Sequence, residues 1–339
     1  MAVYRLSTTV RMRRGALRMT RLELIEIRGE AETEAEDNEI CSVDTLKRIE
    51  NGKVTRIKIE VYTKIMRKMG ALPERIYASL FVMNPQALNL KAEIHIHICF
   101  GEYEQAEKKL KKLEPMLIPD YPRNQQYLME KKAVLAYKQG ELTAEKYLER
   151  LLDALRLTVP MFDRIDIAEW PFNENEMDIL SDIGNAYHWM GKRDEEFQFL
   201  LKLKENVEKK YMNPAHYVVW HMRALTGLSQ LMCMENKHEE SLEYCRVGIE
   251  ECKKWRILGS VYRFLYDTVW NREQQIREGL FTDGESPEKE ELLIKNERAS
   301  CRKQLVQAYF LSVAQGDVHQ SERIKELYEK FFPNDAKLP

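Results

Sequence analysis

Six breaks marked by glycine or asparagine punctuate residues 86–335, and they constrain the fold of this 339-residue chain more than any other feature. Each follows an apolar-periodic stretch and precedes a second amphipathic stretch rich in Lys and Glu. Five are compact: Phe100-Gly101-Glu102, Gln139-Gly140-Glu141, Met190-Gly191-Lys192, Glu235-Asn236-Lys237 and Gln315-Gly316-Asp317. The sixth, less regular, is read around Asp267 to Glu273. Turns at 101, 140, 191, 236, about 271 and 316 are spaced by 39, 51, 45, about 35 and about 45 residues. A helix pair of this kind cannot bury its apolar faces alone and must stack on its neighbours, so a repeated plan predicts a solenoid. The scarcity of breakers agrees, with 14 Gly and 11 Pro in the whole chain. The expected fold class is all-α. Linkers are expected at Pro160 to Asn175 and at Thr282 to Pro287.

Ahead of the repeats lies a differently charged segment. The chain carries a formal net charge of −2, yet residues 41–70 hold eight basic residues against Asp44, Glu50 and Glu60. Local excess of this kind suits a surface that meets phosphate. Within it, Ser42 can cap a short helix whose buried side is Val43, Leu46 and Ile49, and Asn51-Gly52 stops that helix. A second amphipathic helix is predicted from about Lys58 to Met69, with Ile59, Tyr62, Ile65, Met66 and Met69 inward.

The run Ile49-Glu50-Asn51-Gly52-Lys53 resembles the ending of the reading helix in the phage-repressor-like (XRE) helix-turn-helix family. That resemblance implies double-stranded operator DNA as a partner. It implies that Val43, Asp44, Thr45, Lys47 and Arg48 belong to the major-groove helix, and that Ser42, Lys53, Thr55 and Arg56 hold phosphates. Asp44 would accept from cytosine, and Lys47 or Arg48 would donate to guanine. The family's preceding helix should end a few residues before Cys41. Thr20 to Ile27 has the right character but lies further back, and residues 30–39 hold six acids. Either the acidic stretch is an insertion in the turn, or Thr33 to Glu39 stands in place of that helix.

The helix pairs resemble tetratricopeptide (TPR) repeats, most clearly in the third, where Gly184, Tyr187 and Gly191 fit a packing site, an aromatic knob and a turn. The expected organisation is a helix-turn-helix head over residues 1–72 and a TPR-like α-solenoid over residues 73–335. In this combination the chain resembles the Rgg/PlcR-like peptide-pheromone receptors. The resemblance implies a homodimer that binds a short signalling peptide, or a protein segment, in the groove of the repeats. By TPR offsets the groove positions are Asp178, Ser181, Asn185, His188 and Trp189 in the third repeat. They are Arg223, Thr226 and Gln230 in the fourth, and Tyr127, Glu130 and Tyr137 in the second. Asn185 leads, because an amide pairs with both N–H and C=O of an extended peptide. The alternative reading is a TPR interaction adaptor whose head does not bind DNA.

Catalytic and cofactor signatures are absent: there is no phosphate-binding glycine loop, no dinucleotide fingerprint, no His-Glu-x-x-His and no nucleophile elbow. No enzymatic activity, cofactor or metal is therefore expected. His95 and His97 lie two apart on a predicted helix, where they diverge by about 200°. The six cysteines contain no Cys-x-x-Cys pair and read as reduced thiols. With no apolar run of spanning length and no signal-peptide pattern, a cytoplasmic protein without membrane association is expected.

Overall fold

The computed structural model describes residues 10–26, 39–51, 53–54, 58–69, 86–119, 121–209, 214–280, 286–335 and 337–339. In the head, residues 10–16 are helical (α1). Helix α2, Arg21–Ile25, is short but doubly capped: Thr20 Oγ1 accepts from the Glu23 amide (3.2 Å) and Glu23 accepts from the Thr20 amide (2.7 Å). This reciprocal box satisfies two orphan donors at the helix start. Helix α3, Val43–Glu50, starts at Ser42, whose hydroxyl accepts from the Thr45 amide at 3.2 Å. Helix α4 spans Ile59–Lys68. Val10, Leu24, Ile25, Leu46, Ile49, Tyr62, Ile65, Met66 and Met69 close into one core, which packs all four helices together.

Two contacts bring together the residues on either side of the acidic stretch. The Ile40 amide donates to the Ile25 carbonyl at 2.8 Å, and Glu26 and Glu39 form an isolated antiparallel bridge. Residues 25–26 and 39–40 thus lie side by side. Among the described residues Arg21–Ile25 is the helix that precedes α3; residues 27–38, which hold most of the acidic stretch, lie outside the described residues.

The remaining helices are α5 (Gln86–Cys99), α6 (Tyr103–Leu113), α7 (Pro122–Lys138), α8 (Ala144–Arg156), α9 (Glu174–Trp189) and α10 (Arg193–Glu208). They continue as α11 (Pro214–Met234), α12 (His238–Trp255), α13 (Val261–Arg277), α14 (Pro287–Ala314) and α15 (Val318–Phe331). Five of the six expected turns are realised in left-handed backbone: Gly101, Gly140, Gly191, Asn236 and Gly316 have φ of 75°, 79°, 68°, 58° and 73°. That conformation costs a side-chain-bearing residue about 1 kcal/mol and glycine nearly nothing, which explains the residues found there. The expected break near residue 271 does not exist. Asp267, Asn271 and Glu273 lie inside α13 as buried polar groups, and the chain instead turns after it, at Gly279 (φ 68°). Among the described residues there is no β-strand, only isolated bridge residues, and no helix is long and apolar enough to cross a membrane.

Contacts divide the chain into two compact units, Met1–Lys192 with Glu205–Met212, and Arg193–Lys204 with Asn213–Pro339. In the first, Ala87, Ile94, Ala106, Leu110, Leu113, Leu117, Tyr127 and Leu135 form the core under α5 to α7. In the second, α12 meets α13 at Gly248, where an added Cβ would stand 2.4 Å from the Phe264 ring. Phe264 is fully buried and has nowhere to go. Gly248→Ala should therefore destabilise this unit by about 1–3 kcal/mol in urea unfolding, despite the better helix propensity of alanine.

Candidate functional site

Helix α3 separates its residues sharply. Leu46, Ile49 and Glu50 are buried, while Ser42, Asp44, Thr45, Lys47, Arg48 and Lys53 are exposed and Val43 is half-buried. Neither Lys47 nor Arg48 is engaged in an ion pair among the described residues. Thr55 and Arg56 lie outside the described residues. The outer face of α3 therefore carries two cations, a carboxylate and two hydroxyls, with the donor and acceptor types that base edges and phosphates require.

The buried Glu50 fixes that face in place. Its carboxylate, 0% exposed, accepts from Arg14 Nε on α1 at 2.5 Å and from Arg21 Nε on α2 at 2.7 Å. Arg14 also donates to the Met19 carbonyl at 2.7 Å. One acid of the Glu-Asn-Gly-Lys run thus ties three helices together. Sequence reading gave it no role, because its partners lie 36 and 29 residues away.

Within the first unit, α1 also touches the segment that precedes α9. The Arg13 guanidinium lies 4.7 Å from the ring centre of Trp170, and the Asp166 amide donates to the Ala16 carbonyl at 3.3 Å. Burial lowers the Arg13 pKa, against the pull of Glu176. Trp170 is held by Asn206, whose amide donates to the carbonyls of Ile167 (2.6 Å) and Trp170 (2.7 Å). Glu176 belongs to the capping box that opens α9, together with Asn173.

Helices α7 and α9 bring most of the expected second- and third-repeat positions together. Tyr127 and Glu130 are buried, Asp178, Ser181, His188 and Tyr137 are half-buried, and Asn185 and Trp189 are exposed. At one end, Glu130 pairs with Lys131 at 2.5 Å, and Lys91 of α5 donates to Asn175 at 3.1 Å. Burial, with Asp182 and Asp178 nearby, pushes the Glu130 carboxyl up. The same three carboxylates hold the Lys131 ammonium protonated in spite of its burial. At the other end, Trp189 stacks on Tyr137 (4.5 Å between centroids), Tyr137 stacks on Tyr147 (4.8 Å), and Lys138 lies 4.4 Å over Trp189. The Ser181 hydroxyl donates to the Met177 carbonyl. Lys131 stands one helical turn from Tyr127, a spacing that could have found it, whereas Lys91 and Tyr147 come from other helices and left no local signal.

In the second unit, Arg223, Thr226 and Gln230 recur at helical spacing on α11, with Arg223 and Gln230 exposed and Thr226 buried. His95 and His97 lie on α5, where His97 pairs with Glu102 at 2.5 Å and His95 approaches Cys99 at 3.6 Å. No group of three metal-binding side chains occurs among the described residues.

No family model matches this sequence, and no curated protein matches it. Solved structures do. PlcR of Bacillus thuringiensis, solved in complex with the peptide PapR7 and DNA, aligns over 98% of this chain and 100% of its own, with a TM-score of 0.54 at 15% identity. The apo form of PlcR aligns over 83% and 90%, with a TM-score of 0.53 at 15% identity. The apo competence regulator ComR from Streptococcus vestibularis aligns over 98% and 99%, with a TM-score of 0.50 at 12% identity. This chain has the fold of PlcR and ComR. The likeness runs from the head through the last helix, so the head and the helical repeats are parts of one shared architecture.

Proposed function

We propose that this protein is a sequence-specific DNA-binding transcription regulator controlled by a peptide bound in its helical repeats. The observation that carries the reading is the outer face of α3. Asp44, Thr45, Lys47 and Arg48 project from a helix whose inner face is buried and whose orientation is fixed by Glu50. A face so anchored can hold base-reading groups without spending ordering entropy on binding. The peptide part rests on the α7–α9 surface, which joins an exposed amide, Asn185, to the aromatic group of Tyr137, Tyr147 and Trp189. Over the 14 residues from Asn175 to Trp189, α9 extends about 21 Å, the span of about six residues of extended peptide. The neighbouring fold of PlcR, solved with a peptide and DNA, agrees with both parts. A homodimer completes the reading, since two heads on two half-sites raise the affinity that one small head provides.

The test is fluorescence anisotropy of the full chain with fragments from upstream of its own gene and neighbouring operons, over a range of salt. Saturable binding that weakens with salt is expected. Lys47→Ala/Arg48→Ala should lower affinity for the preferred fragment about 100-fold and erase the preference, with unchanged thermal unfolding. Absence of binding to every fragment, both alone and with peptides encoded nearby, would leave a protein-interaction adaptor as the better reading.

A further inference from the structure

On α13, Arg263, Tyr266, Trp270 and Arg277 recur at intervals of three, four and seven residues and share one face. Helix α15 sets its own cations against that face. The Arg323 guanidinium lies 5.3 Å from the centre of the Tyr266 ring, and Lys330 Nζ lies 5.0 Å from that of Trp270. Arg277 in turn lies 4.9 Å from the centre of Phe331, whose ring is 6.1 Å from Trp270. Cations and rings therefore alternate along the seam.

Helix α15 carries Glu322, Glu326 and Glu329 beside Arg323, Lys325 and Lys330, yet most cations of the seam are not held in ion pairs. Arg263 is paired with Asp317 at 3.3 Å, but Arg277, Arg323 and Lys330 have no ion pair among the described residues. Asp267 is buried behind the face, accepts from the Ser229 hydroxyl at 3.1 Å, and is pushed up by burial to about 7, with the charges of Arg323 and Arg263 acting against the shift, so near neutral pH it supplies only part of a negative charge. Glu273 is buried and pairs with Arg298 at 3.5 Å. Glu326, exposed on α15 between Arg323 and Lys330, forms an ion pair with neither. The three cations without ion pairs are exposed, Arg323 being hydrogen-bonded to Tyr266, while Tyr266, Trp270 and Phe331 are half-buried and already covered by cations. Rings covered in this way are poor platforms for stacking nucleic-acid bases. Cations lying on rings are held in place with part of their hydration removed, which suits them to carboxylates.

Resting on the peptide-responsive reading, and as a site separate from the α7–α9 surface, we propose that the α13–α15 face receives an acidic peptide whose carboxylates meet Arg323, Lys330 and Arg277. Arg323 and Lys330 are seven residues apart, about 10 Å along the helix. That distance is close to the separation of acids three residues apart in a polyproline-II peptide, which repeats one face every three residues at about 3.1 Å per residue.

The experiment is affinity selection of a displayed pool of randomised octapeptides on the full chain, in parallel with Arg323→Gln/Lys330→Gln. Both substitutions are at exposed positions, and thermal unfolding verifies that the variant is folded; Arg277→Gln serves as a second variant. Wild type should enrich peptides with two Asp or Glu three residues apart about tenfold over the pool, and the variants should lose that enrichment. Enriched peptides without acidic bias, or with a bias that survives both variants, would overturn the acidic specificity and leave peptide binding standing. No enrichment of any kind would overturn both. Binding of a double-stranded oligonucleotide by Lys47→Ala/Arg48→Ala, lost when Arg323 and Lys330 are also changed, would overturn the proposal in favour of nucleic acid.

Discussion

Glu50→Ala should destabilise the helix-turn-helix head by about 3 kcal/mol and abolish DNA binding, although Glu50 does not lie on the reading face of α3. Its carboxylate is fully buried and is shared by Arg14 and Arg21, which are 18% and 37% exposed. Forming such a pair gains little over an apolar contact, because both partners lose hydration. Removing one member is different, since it leaves two guanidiniums partly buried without a counter-charge. A small head has little stability to spare, so a loss of this size is a large share of its total. Hydrogen exchange of the α3 amides is the sensitive measurement. Protection of residues 43–50 should fall by about two orders of magnitude in Glu50→Ala, at 1.4 kcal/mol per factor of ten. Glu50→Gln keeps two acceptor positions' worth of shape but only one carbonyl, and should fall between. The Lys47→Ala/Arg48→Ala chain should lose DNA while keeping full protection, which separates reading from bracing. Undiminished protection in Glu50→Ala would show that α1 and α2 hold α3 by apolar packing alone.

The same residue marks what sequence reading reaches. The Glu-Asn-Gly-Lys ending pointed to a reading helix, and Ser42, Leu46 and Ile49 fell where capping and periodicity put them. The partners of Glu50 did not follow, because long-range ion pairs leave no periodic trace. Turns were legible for a local reason: Gly101, Gly140, Gly191, Asn236 and Gly316 all adopt backbone that few other residues tolerate. The place of the acidic stretch was open in sequence because nothing local distinguishes an insertion from a replaced helix. The contact of Ile40 with Ile25 brings the residues on either side of that stretch together, and that contact is tertiary.

At residues 267–273, polarity itself misled. A run containing Asp267, Asn271, Arg272 and Glu273 looks like a solvated turn, yet it forms part of a continuous helix with its polar groups directed inward. Asp267 and Asn271 are bonded by side chains from other helices, whereas Glu273 meets Arg298 through one oxygen and its Oε1 has no hydrogen-bond partner. His238 bonds Asn271 at 2.9 Å, Asn271 donates to Ser241 at 2.8 Å, and Ser229 lies within hydrogen-bonding distance of Ser241 at 3.2 Å and donates to Asp267 at 3.1 Å. Buried polar groups are tolerated when their partners are present, and the partners here are scattered over α11, α12 and α13. Helical periodicity read from apolar residues alone cannot detect such a network.

That network makes stability depend on pH with a sign opposite to that of an ordinary surface carboxylate. Burial pushes Asp267 from an ordinary value of 3.8 to about 7, with the Ser229 hydroxyl and the charges of Arg323 and Arg263 acting against the shift. The folded state then holds a proton that the unfolded chain has already released. Stability from this group is complete below about pH 4 and is lost as pH rises towards 7, by about 4 kcal/mol at most across the window. The neighbouring thiols do not share this window, since burial pushes Cys233 and Cys245 up to about 12. Asp267→Asn keeps an acceptor for Ser229 and cannot ionise. In urea unfolding followed from pH 5 to pH 8, the asparagine chain should be the more stable of the two at pH 8. The difference should shrink steadily towards pH 5, where the wild-type aspartate is protonated. Parallel curves for the two proteins would mean that Asp267 keeps an ordinary pKa, and that Arg263 and Arg323 compensate its charge through the helix.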